Sequence, residues 1–129
     1  MRVTMIGLAV IAAGVASCVP VGPGSFGPTY ATGQQIYNTV TNFSVNGALN
    51  NGAAYCEYHG PTGQLMGRDG QGNYQGSWAV AGNQICYTIP QRNAFNNCQN
   101  VIFQGQRATF YDAGGGVVAS GNLLGGNIC

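Results

Sequence analysis

Beyond Asn42, apolar and polar residues alternate with a period of two, and glycine-bearing turns cut that alternation into short runs. This is the pattern of antiparallel strands with one buried face. The runs predict strands near 43–46, 53–59, 64–68, 74–80, 84–89, 100–104, 107–112 and 117–122. Between them, His59-Gly60-Pro61-Thr62-Gly63, Asp69-Gly70, Ala81-Gly82-Asn83, Gly105 and Gly114-Gly115-Gly116 carry the residues that tight reversals require. The signal is clearest over residues 74–98. There Trp78 and Val80 share one face, Gly82-Asn83 supplies the positive-φ residues of a two-residue turn, and Ile85, Tyr87 and Ile89 alternate along the returning strand. One segment departs from this period. Thr32 is placed to cap a short helix reaching about Val40, with Ile36 and Val40 on one face.

The expected fold is therefore mainly β: a single small antiparallel meander sheet or barrel of about eight short strands, with one short N-terminal helix. Closing the sheet, or curling it over the helix, removes edges that a chain with so few charges protects poorly. The period assigns Tyr74, Trp78, Val80, Ile85, Tyr87, Ile89, Val101, Phe103, Phe110 and Val118 to the core. Cys86 falls on the face opposite Ile85 and Tyr87, and Cys98 on the face opposite Val101 and Phe103, so both thiols belong to the outer face of neighbouring strands. Four cysteines allow three connectivities. The local pairing of Cys86 with Cys98 is favoured because they bracket one polar loop, and a bridge closing about 13 residues contributes ~3 kcal/mol in the chain-entropy model. Cys56 and Cys129 then form the second pair.

The N-terminus reads differently. Arg2 opens a short basic start, and an apolar run ending in small residues follows, shorter than the ~20 residues needed to cross a bilayer as a helix. Residues 1–17 read as an export signal. Val15-Ala16-Ser17-Cys18 resembles the lipobox of bacterial lipoproteins, and that resemblance implies a diacylglycerol thioether and palmitate-type acylation at Cys18. Lipidation of Cys18 also leaves an even four cysteines. Residues 18–32, rich in Pro and Gly, read as a mobile tether, and 33–129 as one small disulfide-stapled domain. By analogy with Gram-negative sorting, Val19 after the lipidated cysteine implies the outer membrane. The expected partners are the membrane, through the anchor, and an envelope protein or glycan.

Charge narrows the functional classes. The chain has no lysine, and beyond the signal Arg68, Arg92 and Arg107 balance Glu57, Asp69 and Asp112. No basic patch exists for nucleic acid.

Three sets of residues carry resemblances. Tyr58-His59-Gly60-Pro61-Thr62-Gly63, Gly76-Ser77-Trp78, Cys86-Tyr87, Cys98, Gly105 and Gly121-Asn122 follow an order similar to that of a family of small exported β-rich proteins of Gram-negative bacteria, a domain of unknown function. That resemblance implies location and fold and transfers no catalytic residue. Tyr74-x-Gly76-x-Trp78 followed by Gly82 resembles one MORN repeat, with no second copy in the chain. Gly76-x-Trp78 with a disulfide resembles the lipocalin-like periplasmic protease inhibitors, whose pattern places it nearer the start of the barrel.

Candidate chemistry is sparse. Glu57 and His59 lie two apart on one strand and share a face, a spacing that can orient an imidazole for proton transfer. With Cys56 and Tyr58 taken as inward, they read as a solvated polar pair beside a turn. One histidine, three acids and bridge-committed cysteines leave no ligand set for a metal, and no cofactor is expected. The glycine runs at 70–73 and 114–116 precede no helix and read as hairpin turns, not phosphate loops. The expected function is a lipid-anchored, non-enzymatic envelope protein with a structural or binding role; the alternative is a lipocalin-like periplasmic protease inhibitor.

Overall fold

A computed structural model of the chain describes residues 29–129. The export signal, Cys18 and most of the tether lie outside the described residues. One helix, α1 (Gly33–Val40), precedes eight strands: β1 (Phe43–Leu49), β2 (Ala54–His59), β3 (Gln64–Asp69), β4 (Gly72–Ala81), β5 (Gln84–Thr88), β6 (Cys98–Gln104), β7 (Arg107–Tyr111) and β8 (Val117–Gly125). Each strand pairs antiparallel with its sequence neighbours, and β8 returns to β1 to close a barrel. The closing seam runs from Phe43 opposite Gly125 to Leu49 opposite Ala119. Closure pairs most of the backbone N–H and C=O groups that an open sheet would expose; the shortest seam is β5 to β6, which pairs only Ile85 with Gln99 and Cys86 with Cys98.

The alternation predicted from sequence organises the interior. Tyr74, Trp78, Ile85, Tyr87, Ile89, Val101 and Phe110 are buried. Val80, Phe103 and Val118 pack against this core but are only partly buried, because they sit near the barrel ends. Val45, Leu65 and Leu123 complete the core from strands whose alternation is weaker.

Helix α1 closes one end. Thr32 caps it through a reciprocal pair of hydrogen bonds with Gln35, which satisfies two of the orphan donors at its start. Ile36 and Val40 are completely buried. Each contributes roughly 1.5–3 kcal/mol by leaving water. The segment entering the helix is held on both sides: Ala31 N donates to the Val101 carbonyl at 2.7 Å, and Gly33 N donates to Asn83 Oδ1 at 2.8 Å. Val101 lies beyond the last residue that β5 pairs with β6, so its carbonyl is available to the incoming chain. The tether expected through Thr32 thus ends earlier, since Ala31 is already buried in the fold.

The β4–β5 turn has the expected length but not the expected geometry. Gly82 has φ +58°, whereas Asn83 is not in the left-handed region. A two-residue hairpin with a left-handed residue only at its first position follows the II′ pattern. Asn83 uses its side chain instead, as the acceptor that docks α1.

Both disulfides match the expected pairing. Cys86 and Cys98 are bonded across directly opposite positions of β5 and β6, and Cys56 is bonded to Cys129. The second bridge pulls the C-terminal residues across the outside of β1 and β2. There Ser44 Oγ donates to the Gly126 carbonyl at 2.7 Å, and Arg68 Nη1 donates to the Cys129 carbonyl at 2.8 Å.

Candidate functional site

The structure corrects the reading of Glu57 and His59. They are not solvated: Glu57 is 7% exposed and His59 0%. Pairing fixes the reason. Glu57 stands opposite Val45 of β1 and Gly67 of β3, and His59 opposite Leu65, all of which point into the barrel. Cys56 therefore points outward, where it reaches Cys129, and is buried only beneath the C-terminal residues. Tyr58 also faces out, and its hydroxyl donates to Asn42 Oδ1 at 2.6 Å.

Inside the barrel these two side chains join a polar network drawn from four strands and one loop. Tyr74 of β4 donates its hydroxyl to Glu57 Oε2 at 2.7 Å. Its ring fits because β3 presents Gly67 at the facing position: a Cβ there would lie 2.6 Å from both Tyr74 Cε2 and the hydroxyl oxygen. The Arg92 guanidinium lies over the Tyr74 ring, 5.1 Å from the ring centre. Arg92 is itself fixed by two hydrogen bonds of 2.8 Å to the Asp69 carboxylate. These hold the Asp69 carboxyl below its usual range.

His59 sits deeper. Its Nδ1 lies 3.4 Å from the Phe43 carbonyl, which can only accept, so in the neutral ring the proton resides on Nδ1. Nε2 is then left to accept from the Tyr87 hydroxyl at 3.0 Å. Trp78 meets the imidazole edge-on with ring centres 5.5 Å apart, and its indole N–H donates to the Gly60 carbonyl at 2.9 Å. Glu57 Oε1 approaches His59 Nε2 to 3.7 Å, short of a hydrogen bond.

Burial dominates the electrostatics. It raises the Glu57 carboxyl to about 7 against the lowering effect of the Tyr74 hydrogen bond, with Asp69 adding a smaller upward push. Burial lowers His59 to about 4, only partly offset by the Phe43 carbonyl. Between these values the proton sits on the acid and the imidazole is neutral. Tyr55, Tyr74 and Tyr87 are all raised, first by burial and then by the Glu57 charge, so none is a ready proton donor near neutrality.

This network borders a cavity of about 20 Å³ at the end of the barrel opposite α1, with Phe95 and Leu49 at its rim. That volume is on the scale of one ordered water. Among the described residues no group of three or more potential metal ligands is found. Nor does the interior present a nucleophile with an adjacent base: Tyr87 is hydrogen-bonded to His59, but burial holds its hydroxyl strongly protonated.

Strand period alone does not give the inward placement of Glu57 and His59, because Cys56 and Tyr58 outweigh them in hydrophobicity on the opposite face. A usable signal existed in the thiols. The outer-face argument applied to Cys86 and Cys98, extended to Cys56, turns Glu57 and His59 inward.

Comparison with family models, curated proteins and solved structures yields no match.

Proposed function

We propose that this chain is a lipid-anchored cell-envelope protein with a structural or binding role, exerted from the outer face of the barrel and without catalysis of its own. The observation that carries this reading is the filled interior. Ligand-binding barrels reserve pockets of about 300–1,000 Å³ for their cargo, whereas the cavity here is about 20 Å³. Recognition of an envelope protein or glycan then falls to the outside. Two disulfides support an oxidising compartment, Val15-Ala16-Ser17-Cys18 supports a lipid anchor, and Val19 after it supports sorting to the outer membrane. Expression in a Gram-negative host with a clickable palmitate analogue tests the anchor. The wild type is expected to be labelled and Cys18→Ala not; equal labelling of both rejects the assignment.

A lipocalin-like inhibitor of exported proteases is the second reading. What favours it is the order of the strands, consecutive around a closed eight-stranded barrel, with a chain that enters beside the exposed Tyr30 and Tyr37. Stoichiometric inhibition of any member of a panel of exported proteases would place this reading first.

A further inference from the structure

The cavity opposite α1 has a use that an outer-face role leaves unassigned. Its walls include Tyr55, Glu57, Tyr74, Tyr87, Gln99 and Phe110, and Phe95 of the loop between β5 and β6 borders it at the rim. Tyr55, Glu57 and Gln99 are each more than nine-tenths buried. Among the described residues their polar atoms are not all matched. Glu57 Oε2 accepts from Tyr74, but Oε1 has no donor, its nearest basic atom being His59 Nε2 at 3.7 Å. Gln99 spends its amide N–H on Asn97 Oδ1 at 2.8 Å, which leaves its carbonyl oxygen without a donor. The Tyr55 hydroxyl bonds to no described side chain. Buried polar atoms in native proteins are nearly always matched, so a set that converges on one cavity points to an occupant.

The chemistry of that occupant follows from what is missing. Above about pH 7, where Glu57 is ionised, two of the three unmatched groups are acceptors only, and the third, a hydroxyl, accepts as well as donates, so the occupant of the ionised site must donate several hydrogen bonds. No cation serves Glu57, because the nearby Arg92 guanidinium is held on Asp69. The surrounding tyrosine and phenylalanine rings favour positive charge. The volume admits one small head group. Calcium and magnesium demand about six or more oxygens, more than this cavity offers. Water meets the size but supplies no charge. We propose that the cavity binds the ammonium head of a small free primary amine, with Glu57 as counter-ion and Gln99 and Tyr55 as further acceptors.

Protons compete with such a ligand for Glu57. The titratable groups that face it are Tyr55 and His59 of its own strand, Asp69 of β3, Tyr74 of β4, Tyr87 of β5 and Arg92 of the loop; β1, β6, β7 and β8 turn no titratable side chain toward it. Of these, only Glu57 changes charge near neutrality, having been raised to about 7.

Tyrosine-ring NMR of the disulfide-intact chain during titration with methylammonium tests the site. Saturable shifts at Tyr55, Tyr74 and Tyr87 are expected with a Kd on the order of millimolar, the range open to a ligand of two non-hydrogen atoms. Affinity should fall about tenfold from pH 8 to pH 6 as Glu57 takes up its proton. Glu57→Gln, checked for folding by its melting curve, should lose at least about tenfold, as loss of a charge-assisted hydrogen bond does. Gln99→Leu, a milder change at the same cavity, should weaken binding by a few-fold. Tetramethylammonium, too large for the cavity, should give no saturable shift. The proposal is overturned by the absence of a saturable shift up to about 100 mM methylammonium, far above the expected Kd. Binding equal at both pH values, or matched by tetramethylammonium, overturns it as well.

Discussion

Gly67→Ala isolates the contact that builds the barrel interior. Gly67 does not adopt a positive φ, so the substitution carries no backbone strain of its own. Its effect is steric: the new methyl would stand 2.6 Å from Tyr74 Cε2 and from the Tyr74 hydroxyl. The ring must move. In moving it breaks the 2.7 Å hydrogen bond to Glu57 and unseats the Arg92 guanidinium stacked on it. Overpacking costs about 1–3 kcal/mol, and at pH 8, where Glu57 is ionised, the hydrogen bond to its carboxylate about 1.5–3 kcal/mol. A more restricted unfolded chain returns about 0.4–1 kcal/mol. The net loss is therefore about 2–5 kcal/mol, or a drop in Tm on the order of 10–30 °C for a domain of this size. Thermal unfolding followed by circular dichroism reads it directly. Tyr74→Phe should cost less, about 1–3 kcal/mol, since it removes the hydrogen bond and leaves the ring in place. On a Tyr74→Ala background Gly67→Ala should cost almost nothing, because no ring remains to clash with. A Gly67→Ala protein within about 0.5 kcal/mol of wild type, the scatter of neutral surface changes, would refute this account of the interior.

Further outcomes follow from the same geometry. Between about pH 4.5 and 6.5 the folded pair holds its proton on Glu57, raised to about 7, while the unfolded chain holds one on a histidine of ordinary pKa, so the pair contributes almost no pH dependence to wild-type stability. In Glu57→Gln the histidine acts alone: its folded pKa, about 4, lies below the unfolded 6.5, so the unfolded state binds the extra proton and the urea midpoint should fall as pH drops through that window. A flat midpoint in the variant would contradict the burial of His59. Cys86→Ser should lower Tm by about 10 °C or more, as expected for loss of ~3 kcal/mol, and non-reducing peptide mapping of the wild type should join Cys86 to Cys98 and Cys56 to Cys129. Recovery of a Cys56–Cys86 peptide would overturn the assigned pairing.

Much of the barrel was legible because strand period and turn chemistry agree along most of the chain. Trp78, Ile85, Tyr87 and Val101 announce their inward face by alternation, and Gly82 marks a reversal that has no room for error, since Ala81 pairs directly with Gln84. Thr32 and Gln35 announce the start of α1 just as plainly. Closure of the sheet was harder to read, because the seam joins β1 to β8 across nearly the whole domain and leaves no local mark at Phe43 or Gly125. The polar interior was the least legible part. Over 55–59 the hydrophobic pattern is ambiguous, with Tyr55, Glu57 and His59 on one face and Cys56 and Tyr58 on the other. Apart from the outward placement that a bridging Cys56 favours, partners distant in sequence decide between them. Gly67 makes room, Tyr74 and Tyr87 supply hydrogen bonds, and Cys129 draws Cys56 to the outside. A buried acid and imidazole are tolerated here because each meets tertiary partners, which alternation alone cannot register.

The central structural claim is that Glu57 and His59 lie inside the closed barrel, where burial keeps the acid protonated and the imidazole neutral between about pH 4 and 7, and carboxyl and imidazole NMR titration of the disulfide-intact chain tests it most directly. The account predicts a Glu57 carboxyl that titrates near 7 and a His59 ring that stays neutral, with its proton on Nδ1, until about pH 4. A Glu57 midpoint near 4.5 together with a His59 midpoint near 6.5, the ordinary values of solvated groups, would contradict it.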